Sequence, residues 1–257
     1  MSRENKLLIN GQIMDLKITE LIHVFLVETQ DSINIGNVAR AMSNLGFTNL
    51  HLVAPRNWDI GRARASGCGA ENILDNLIIH TDLTAALAGM NEAVAFSARS
   101  GRNRPEPIAL PKWISNWSKN IKGKTALVFG PEDTGLTNDH LLCCGDVIRI
   151  PTAGLNSSFN LSQAVLLALY ELSPLNSSIQ ETRSEYEAPN WGEQLQLAKI
   201  VDELMWESNF YRKETPHTVP GLVRQLLFRI KPDVRELAIL LGMFSSLKNL
   251  IGRLKIN

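Results

Sequence analysis

TALVFGPEDTGL (Thr125–Leu136) and VIRIPTAGLNSSFNLSQAV (Val147–Val165) decide the fold. Each begins as a short apolar, β-branched run, breaks into glycine and polar residues, and then resumes with apolar residues at helical spacing. That is the signature of a buried strand whose carboxyl end opens into a loop and a helix. A shorter segment of the same kind, NIGNVAR (Asn34–Arg40), follows the apolar run HVFLVE (His23–Glu28). Ligands of an open α/β sheet bind outside the carboxyl ends of its strands, so these three segments lie where a site is expected.

Further apolar runs at Leu50–Ala54, Leu77–His80 and Ala93–Ser97 are separated mostly by helix-length segments, an alternation that predicts βα units on a largely parallel sheet. Asn34–Leu45 carries Val38, Ala41, Met42 and Leu45 at helical spacing, and Phe159–Leu172 reads as helix too. Ser173–Asn190 is polar, rich in turn formers and punctuated by proline, as expected of a linker. Three helical segments follow, Trp191–Arg212, Thr218–Ile230 and Pro232–Leu254. The predicted division is therefore 1–172, a linker at 173–190 and a helical extension at 191–257.

The chain has 257 residues, 44% of them hydrophobic, enough for one large α/β domain and an appendage. Lysine plus arginine equals aspartate plus glutamate at 26 each, so no global field marks a nucleic-acid binder. The local distribution is uneven. Ser173–Glu207 holds two basic and seven acidic residues, and Ser208–Asn257 nine basic and three acidic. The last fifty residues could meet a polyanion or form an ordinary solvated helical surface. Cys68, Cys143 and Cys144 have neither the even count of a disulfide framework nor the spacing of a zinc site; the adjacent pair reads as buried thiols on a helix. The first twenty residues lack a secretory h-region, and no run approaches the ~20 apolar residues of a membrane span, so a cytoplasmic protein is expected.

Neither a P-loop nor a GxGxxG fingerprint occurs. Gly130 and Gly135 would let backbone approach a ligand closely, and Glu132 between them reads either as part of a site or as a carboxylate at a helix N-terminus. Asn156, Ser157, Ser158 and Asn160 crowd short hydrogen-bonding side chains before an apolar helix, as a ligand loop or as helix caps. Arg40, alone, reads as an exposed helix arginine. His23, His51, His80 and His140 are scattered along the chain and receive no catalytic part.

NIGNVAR, VFGPEDTGL and IPTAGLNSSFNLSQAV, taken in this order, resemble the three motifs of the SpoU class of SPOUT RNA 2′-O-methyltransferases, over about Leu21–Leu172. ARASGCGAENILDN (Ala63–Asn76), FSARSGRNR (Phe96–Arg104) and the basic tail are similar to the TrmJ branch, which methylates position 32 in the tRNA anticodon loop. The resemblance implies a Rossmann-like α/β sheet whose C-terminal part forms a deep trefoil knot, with the small all-helical extension appended. It implies bent S-adenosylmethionine held around Phe129, Gly130, Glu132, Gly135, Ile150, Ser158, Asn160 and Leu161, with S-adenosylhomocysteine as product and no metal. It also implies a homodimer in which each site borrows Arg40 from the partner subunit, while Asn34, Ser158 and Asn160 orient arginine and substrate and Glu132 organises the loop. Phe159 departs from the leucine common in the class, a change of packing.

Arg99, Arg102 and Arg104 in one loop, and Arg212, Lys213, Arg224, Arg229, Lys231 and Arg235 in the tail, are the basic positions expected to hold tRNA phosphates. Trp206, Phe210 and Tyr211 read as the packing face of the extension. Two rival readings remain: ribosomal RNA as substrate, because the motifs define chemistry rather than the RNA, and a knotted RNA-binding protein without catalysis. A helix-turn-helix DNA binder is disfavoured by Pro220 and Pro232, and neither DNA nor a membrane is an expected partner.

Overall fold

A computed structural model of the chain describes residues 7–9, 12–14, 17–99, 101, 104–154, 156–177, 187–212 and 218–254. Arg102, Lys213 and the middle of the expected linker lie outside the described residues. In chain order, β1 (Leu7–Ile9) and β2 (Gln12–Met14) form an antiparallel pair, followed by α1 (Ile18–Leu21), β3 (Ile22–Val27), α2 (Ser32–Leu45) and β4 (Asn49–Val53). Next come α3 (Ile60–Ser66), α4 (Glu71–Asn76), β5 (Ile78–His80), α5 (Leu83–Leu87), β6 (Glu92–Phe96), β7 (Ile108–Ala109) and α6 (Leu110–Trp117). The order closes with β8 (Thr125–Phe129), α7 (Asn138–Leu142), β9 (Asp146–Arg149), α8 (Leu161–Leu172), α9 (Trp191–Glu207), α10 (Thr218–Ile230) and α11 (Val234–Leu254).

The seven-stranded sheet runs β5-β4-β3-β8-β6-β9-β7, and every neighbouring pair in it is parallel. After β3 the chain goes one way to β4 and β5, whereas β8, β6, β9 and β7 lie on the other side. The carboxyl ends of β3 and β8 thus flank a point where the winding changes direction, which opens a crevice there. Both sheet faces are covered. One core joins Val24 and Leu26 of β3 and Leu127 of β8 to α2, α6 and α8 through Ile35, Met42, Trp117 and Val165. The other joins Phe25, Ala95 and Val128 to α5, α9 and α10 through Leu87, Trp191 and Phe228. Burial on both faces is why these strands read as continuous apolar runs.

Helix α2 begins two residues earlier than its apolar spacing suggests, because the Asp31 carboxylate accepts the Ile33 amide at 3.0 Å as N-cap. Gly46, at φ +78°, ends it. Gly36 in its first turns is a packing residue: a Cβ there would lie 2.1 Å from the Ala63 carbonyl oxygen of α3. Helix α9 stops at Glu207 rather than Arg212, since Asn209 at φ +57° turns the chain out of helix. Helix α11 starts at Val234, after an Asp233 carboxylate that accepts the amides of Arg235 and Glu236 at 2.9 Å each. The first turn of α9 is set in the sheet core, where Trp191 packs on Phe228 and its indole N–H donates to the Cys143 carbonyl at 2.8 Å. Cys144 is buried and Cys143 half-buried, both just past α7, and burial raises both thiol pKa values.

Candidate active site

The three motif segments meet at the carboxyl end of the sheet. Glu132, in the loop after β8, reaches across to the N-terminus of α2. Its carboxylate accepts the backbone N–H of Gln30 at 3.1 Å and of Asp31 at 3.4 Å, and the side-chain amide of Asn34 at 2.8 Å. An anion is favoured there because the first amides of a helix have no intrahelical acceptor and the helix dipole is positive at that end. Asn160 completes the junction: its amide donates to Asn34 Oδ1 at 3.3 Å, and its own Oδ1 accepts the Ser162 amide at 2.9 Å and the Ser162 hydroxyl at 2.8 Å. Asn160 thus caps α8, and Glu132 caps α2 from another loop.

Beside this junction lies a cavity of about 370 Å³. All eight positions expected to hold the cofactor, Phe129, Gly130, Glu132, Gly135, Ile150, Ser158, Asn160 and Leu161, line it. Phe96 and Phe129, stacked with centroids 4.4 Å apart, and Ile148, Ile150 and Leu161 give it an apolar wall. The loop after β8 doubles back so tightly that a Cβ on Gly130 would lie 2.3 Å from the Leu136 amide nitrogen, and Gly135 sits at φ +63°. Only glycine fits the first position, which leaves backbone exposed to the cavity. Ser158 is exposed with no hydrogen-bond partner among the described residues, and Phe159 joins the same wall. An apolar slot with glycine backbone on one side and serine and asparagine on the other suits a flat heterocycle bearing polar edges.

Arg40 lies six residues beyond Asn34 on α2, exposed and without a hydrogen-bond or ion-pair partner among the described residues. It does not line the cavity of its own chain.

The other basic positions divide. Arg99 donates to the Thr134 carbonyl, and Arg104 donates to the Leu136 carbonyl at 2.8 Å and to Ser97 Oγ at 3.3 Å. Burial first, then the neighbouring Arg99 charge, lowers the Arg104 pKa. These two arginines thus brace the loop that carries Gly130 and Gly135. Arg224 and Lys231, expected on RNA phosphates, are turned inward instead. Arg224 pairs with Asp202 of α9 at 2.5 Å, and Lys231 with Glu92 of β6 at 2.5 Å. The acidic excess of the preceding segment and one buried strand carboxylate consume the charges that the tail's count left free. Arg212 and Arg229 are exposed. Tyr211 is buried against Asp202 at 3.0 Å, whereas Trp206 and Phe210 are exposed, so only part of that aromatic group is packing.

Three of the histidines are not scattered. His23, His51 and His80 lie on neighbouring strands β3, β4 and β5, with Nδ1···Nε2 distances of 2.9 and 3.0 Å. His51 also stacks on Phe25. Burial, then nearby charge, lowers His23 to about 4 and His51 to about 3. Neutral δ tautomers at His23 and His51 would donate along the row toward His80 and leave only a lone pair, rather than an N–H, at the buried and unpartnered His23 Nε2. None of the three lines the cavity.

An all-parallel sheet with a carboxylate and two amides joining three loops over a glycine-backed slot defines an α/β enzyme with a site at the strand ends. The pattern of the SpoU rRNA Methylase family matches residues 21–170. The chain belongs to this family of RNA methyltransferases. It is 35% identical to the tRNA (cytidine/uridine-2′-O-)-methyltransferase TrmJ of Sodalis glossinidius over 234 residues, 89% of this chain and 91% of that protein. It is 34% identical to the protein of the same name from Yersinia pestis, over 88% of this chain and 91% of that one. Among solved structures, TrmJ from Z. mobilis superposes with a TM-score of 0.74 at 27% identity, covering 88% of this chain and 98% of the other. A methylase family protein from Haemophilus influenzae gives 0.58 at 32%, covering 91% and 98%.

Proposed function

We propose that the chain is an S-adenosylmethionine-dependent tRNA ribose 2′-O-methyltransferase acting on cytidine or uridine at position 32 of the anticodon loop. The observation that carries the reading is the Glu132–Asn34–Asn160 junction, which ties the three motif segments to one cavity lined by every expected cofactor position. The tRNA assignment is favoured over ribosomal RNA because the TrmJ relative from Sodalis glossinidius matches 89% of the chain, well beyond the family pattern, which ends at residue 170. The protein works in the cytoplasm as a homodimer, with 1–172 as the methyltransferase domain, 173–190 as linker and 191–257 as a tRNA-binding extension. The segment from β8 to α8 is tied in a trefoil knot. Supporting the knot are β9 inserted between β6 and the earlier-made β7, and α8 returning to pack against α2.

The residues present fit the cofactor: Gly130 leaves the space a Cβ would fill, the Phe96–Phe129 stack supports an adenine, and Ser158 and Asn160 offer polar partners. When bound, S-adenosylmethionine supplies an electrophilic sulfonium methyl and leaves as S-adenosylhomocysteine. No metal takes part in the proposal. The protein's task is mainly to hold a ribose 2′-hydroxyl in line at about 3 to 3.5 Å from its target and to keep it there. The junction fixes α2 relative to the slot, and Arg40 of the partner subunit, unpaired among the described residues of its own chain, grips the ribose and the adjacent phosphate with its planar fork. A guanidinium is a cation with no lone pair to offer at neutral pH, so it does not accept the proton. Arg40 instead stabilises developing alkoxide, and a phosphate oxygen or water takes the proton.

Labelled methyl transfer to purified tRNA and to ribosomal RNA tests the reading. The chain should label tRNA alone, and labelling of ribosomal RNA alone would transfer the same chemistry to the rival substrate. Mixing Arg40→Ala with Asn160→Ala subunits should restore activity neither has alone, because one site of the mixed dimer is then complete. No restoration counts against the shared arginine.

A further inference from the structure

Helices α9 and α10 reach the stretch of chain that joins the two loops lining the cavity. That stretch, 137–146, runs from the end of the loop after β8, through α7, to the start of β9. At five residues α7 is far shorter than a helix that persists unaided. Its last carbonyls are served from two sources. Those of His140 and Leu141 accept the amides of Cys143 and Cys144 at 3.2 and 3.1 Å. Those of Leu142 and Cys143 accept from outside: Arg224 Nη1 of α10 donates to the first at 3.3 Å, and the Trp191 indole of α9 to the second at 2.8 Å. Gly145 closes the contact, since a Cβ there would lie 3.1 Å from the Trp191 ring and 3.5 Å from Phe228 Cβ. Gly221, Arg224 and Phe228 therefore form one stripe of α10, at helical spacing, applied to this stretch. Arg224 is itself held: its Nε donates to Asp202 Oδ2 at 2.5 Å, and the buried Tyr211 hydroxyl donates to Asp202 Oδ1 at 3.0 Å.

We infer that Arg224 is a positioning residue for the cofactor, acting through α7, and that α10 splints the connection between the two cofactor loops. The inference rests on the reading of the cavity as the S-adenosylmethionine site. The other end of α7 is already fixed to the first loop. Leu136 is buried with its carbonyl on Arg104 at 2.8 Å, and Thr137 Oγ1 accepts the His140 amide at 3.2 Å. From Gly135, at φ +63°, to Gly145 the backbone is thus gripped at each end, and slack at Leu142 passes to the loop on either side. Coupling of this kind travels through contiguous packing and hydrogen bonds, which the Tyr211–Asp202–Arg224–Leu142 chain supplies. A guanidinium suits the position because its planar fork serves a carboxylate and a carbonyl at once. An RNA phosphate would have to displace Asp202 to reach it, so the positive charge does its work inside the protein.

The test is calorimetric titration of the full chain with S-adenosylmethionine. Arg224→Met should bind it about tenfold more weakly than wild type, the scale of one hydrogen bond from a charged donor. That variant also strands the Asp202 carboxylate, so it is compared with the double variant Arg224→Met and Asp202→Asn, which removes the stranded charge and still leaves the Leu142 carbonyl unserved. The double variant should regain stability in urea but not cofactor affinity, a split that a purely structural role does not produce. In methyl transfer, cofactor KM should rise while kcat stays within about twofold of wild type, and the dependence of tRNA affinity on log salt should keep its slope. Cofactor affinity that returns together with stability, or wild-type affinity in both variants, overturns the inference. So does a salt slope shallower by about one in Arg224→Met, the sign of a lost phosphate contact. Failure of the wild-type chain to bind S-adenosylmethionine is a different result: it removes the cofactor reading itself, and this inference with it.

Discussion

Glutamine at position 132 is the sharpest probe of the junction. Glu132→Gln keeps the shape of the side chain but replaces one of two acceptor oxygens with an NH2 donor. Three donors converge on the carboxylate, from Gln30, Asp31 and Asn34, and a single amide oxygen cannot serve all of them. At least one donor then faces another donor. A hydrogen bond to a charged group contributes about 1.5 to 3 kcal/mol and an anion at a helix N-terminus about 0.3 to 1 kcal/mol, and exposure of Glu132 favours the lower values, so about 2 kcal/mol is the expected total. If that energy is what holds α2 in register with the slot, kcat/KM for tRNA methylation falls about 30-fold. The assay is initial-rate methyl transfer at saturating and limiting cofactor, with a double-mutant cycle pairing Glu132→Gln with Asn34→Ala. The cycle should show coupling of about 1 kcal/mol or more, because the two side chains share a 2.8 Å bond. Wild-type turnover by Glu132→Gln, or strictly additive losses, would refute the argument that this junction assembles the site.

Three further outcomes follow from the same coordinates. Gly130→Ala should abolish cofactor binding by calorimetry, since its Cβ would lie 2.3 Å from backbone nitrogen that cannot move without opening the loop. Lys231→Met should cost about 2 to 3 kcal/mol in urea unfolding, because it leaves the Glu92 carboxylate, whose pKa burial already raises, without its cation; the double variant with Glu92→Gln should recover part of the loss. Stability should also fall in acid. His23 and His51 titrate at about 4 and about 3 when folded and near 6.5 when unfolded, so the unfolded chain binds the extra protons as pH drops below 6.5. Stability is then lost between pH 6.5 and about 4 by about 1.4 kcal/mol per pH unit for each group, and His51→Phe should roughly halve that slope in denaturant titrations. A pH profile that His51→Phe leaves unaltered would remove the histidine row from the account.

The sheet and the site were legible at the places where one segment carries its own signal. Strand runs buried on both faces are continuous in sequence, and glycine, carboxylate and asparagine placed just past them name the ligand side. What escaped was pairing at long range. His23 and His51 are 28 residues apart and His51 and His80 are 29, the repeat of a βα unit, and only parallel register makes them neighbours. The same blindness put Arg224 and Lys231 on the RNA: a basic residue on a predicted helix shows its charge in sequence but not the carboxylate opposite. Strand β7, with two residues, is too short to carry a period. Gly36 reads as a motif residue and is also the point where α2 and α3 touch, a double role that spacing cannot reveal.

The central claim is that this one cavity methylates ribose with the help of Arg40. Mass spectrometry of nucleosides from tRNA incubated with the chain and S-adenosylmethionine tests it most directly. The account predicts 2′-O-methylcytidine or 2′-O-methyluridine at a single site in the anticodon loop, absent with Arg40→Ala even though that variant still binds cofactor. A methyl group found on a base, or full ribose methylation by Arg40→Ala, would contradict it.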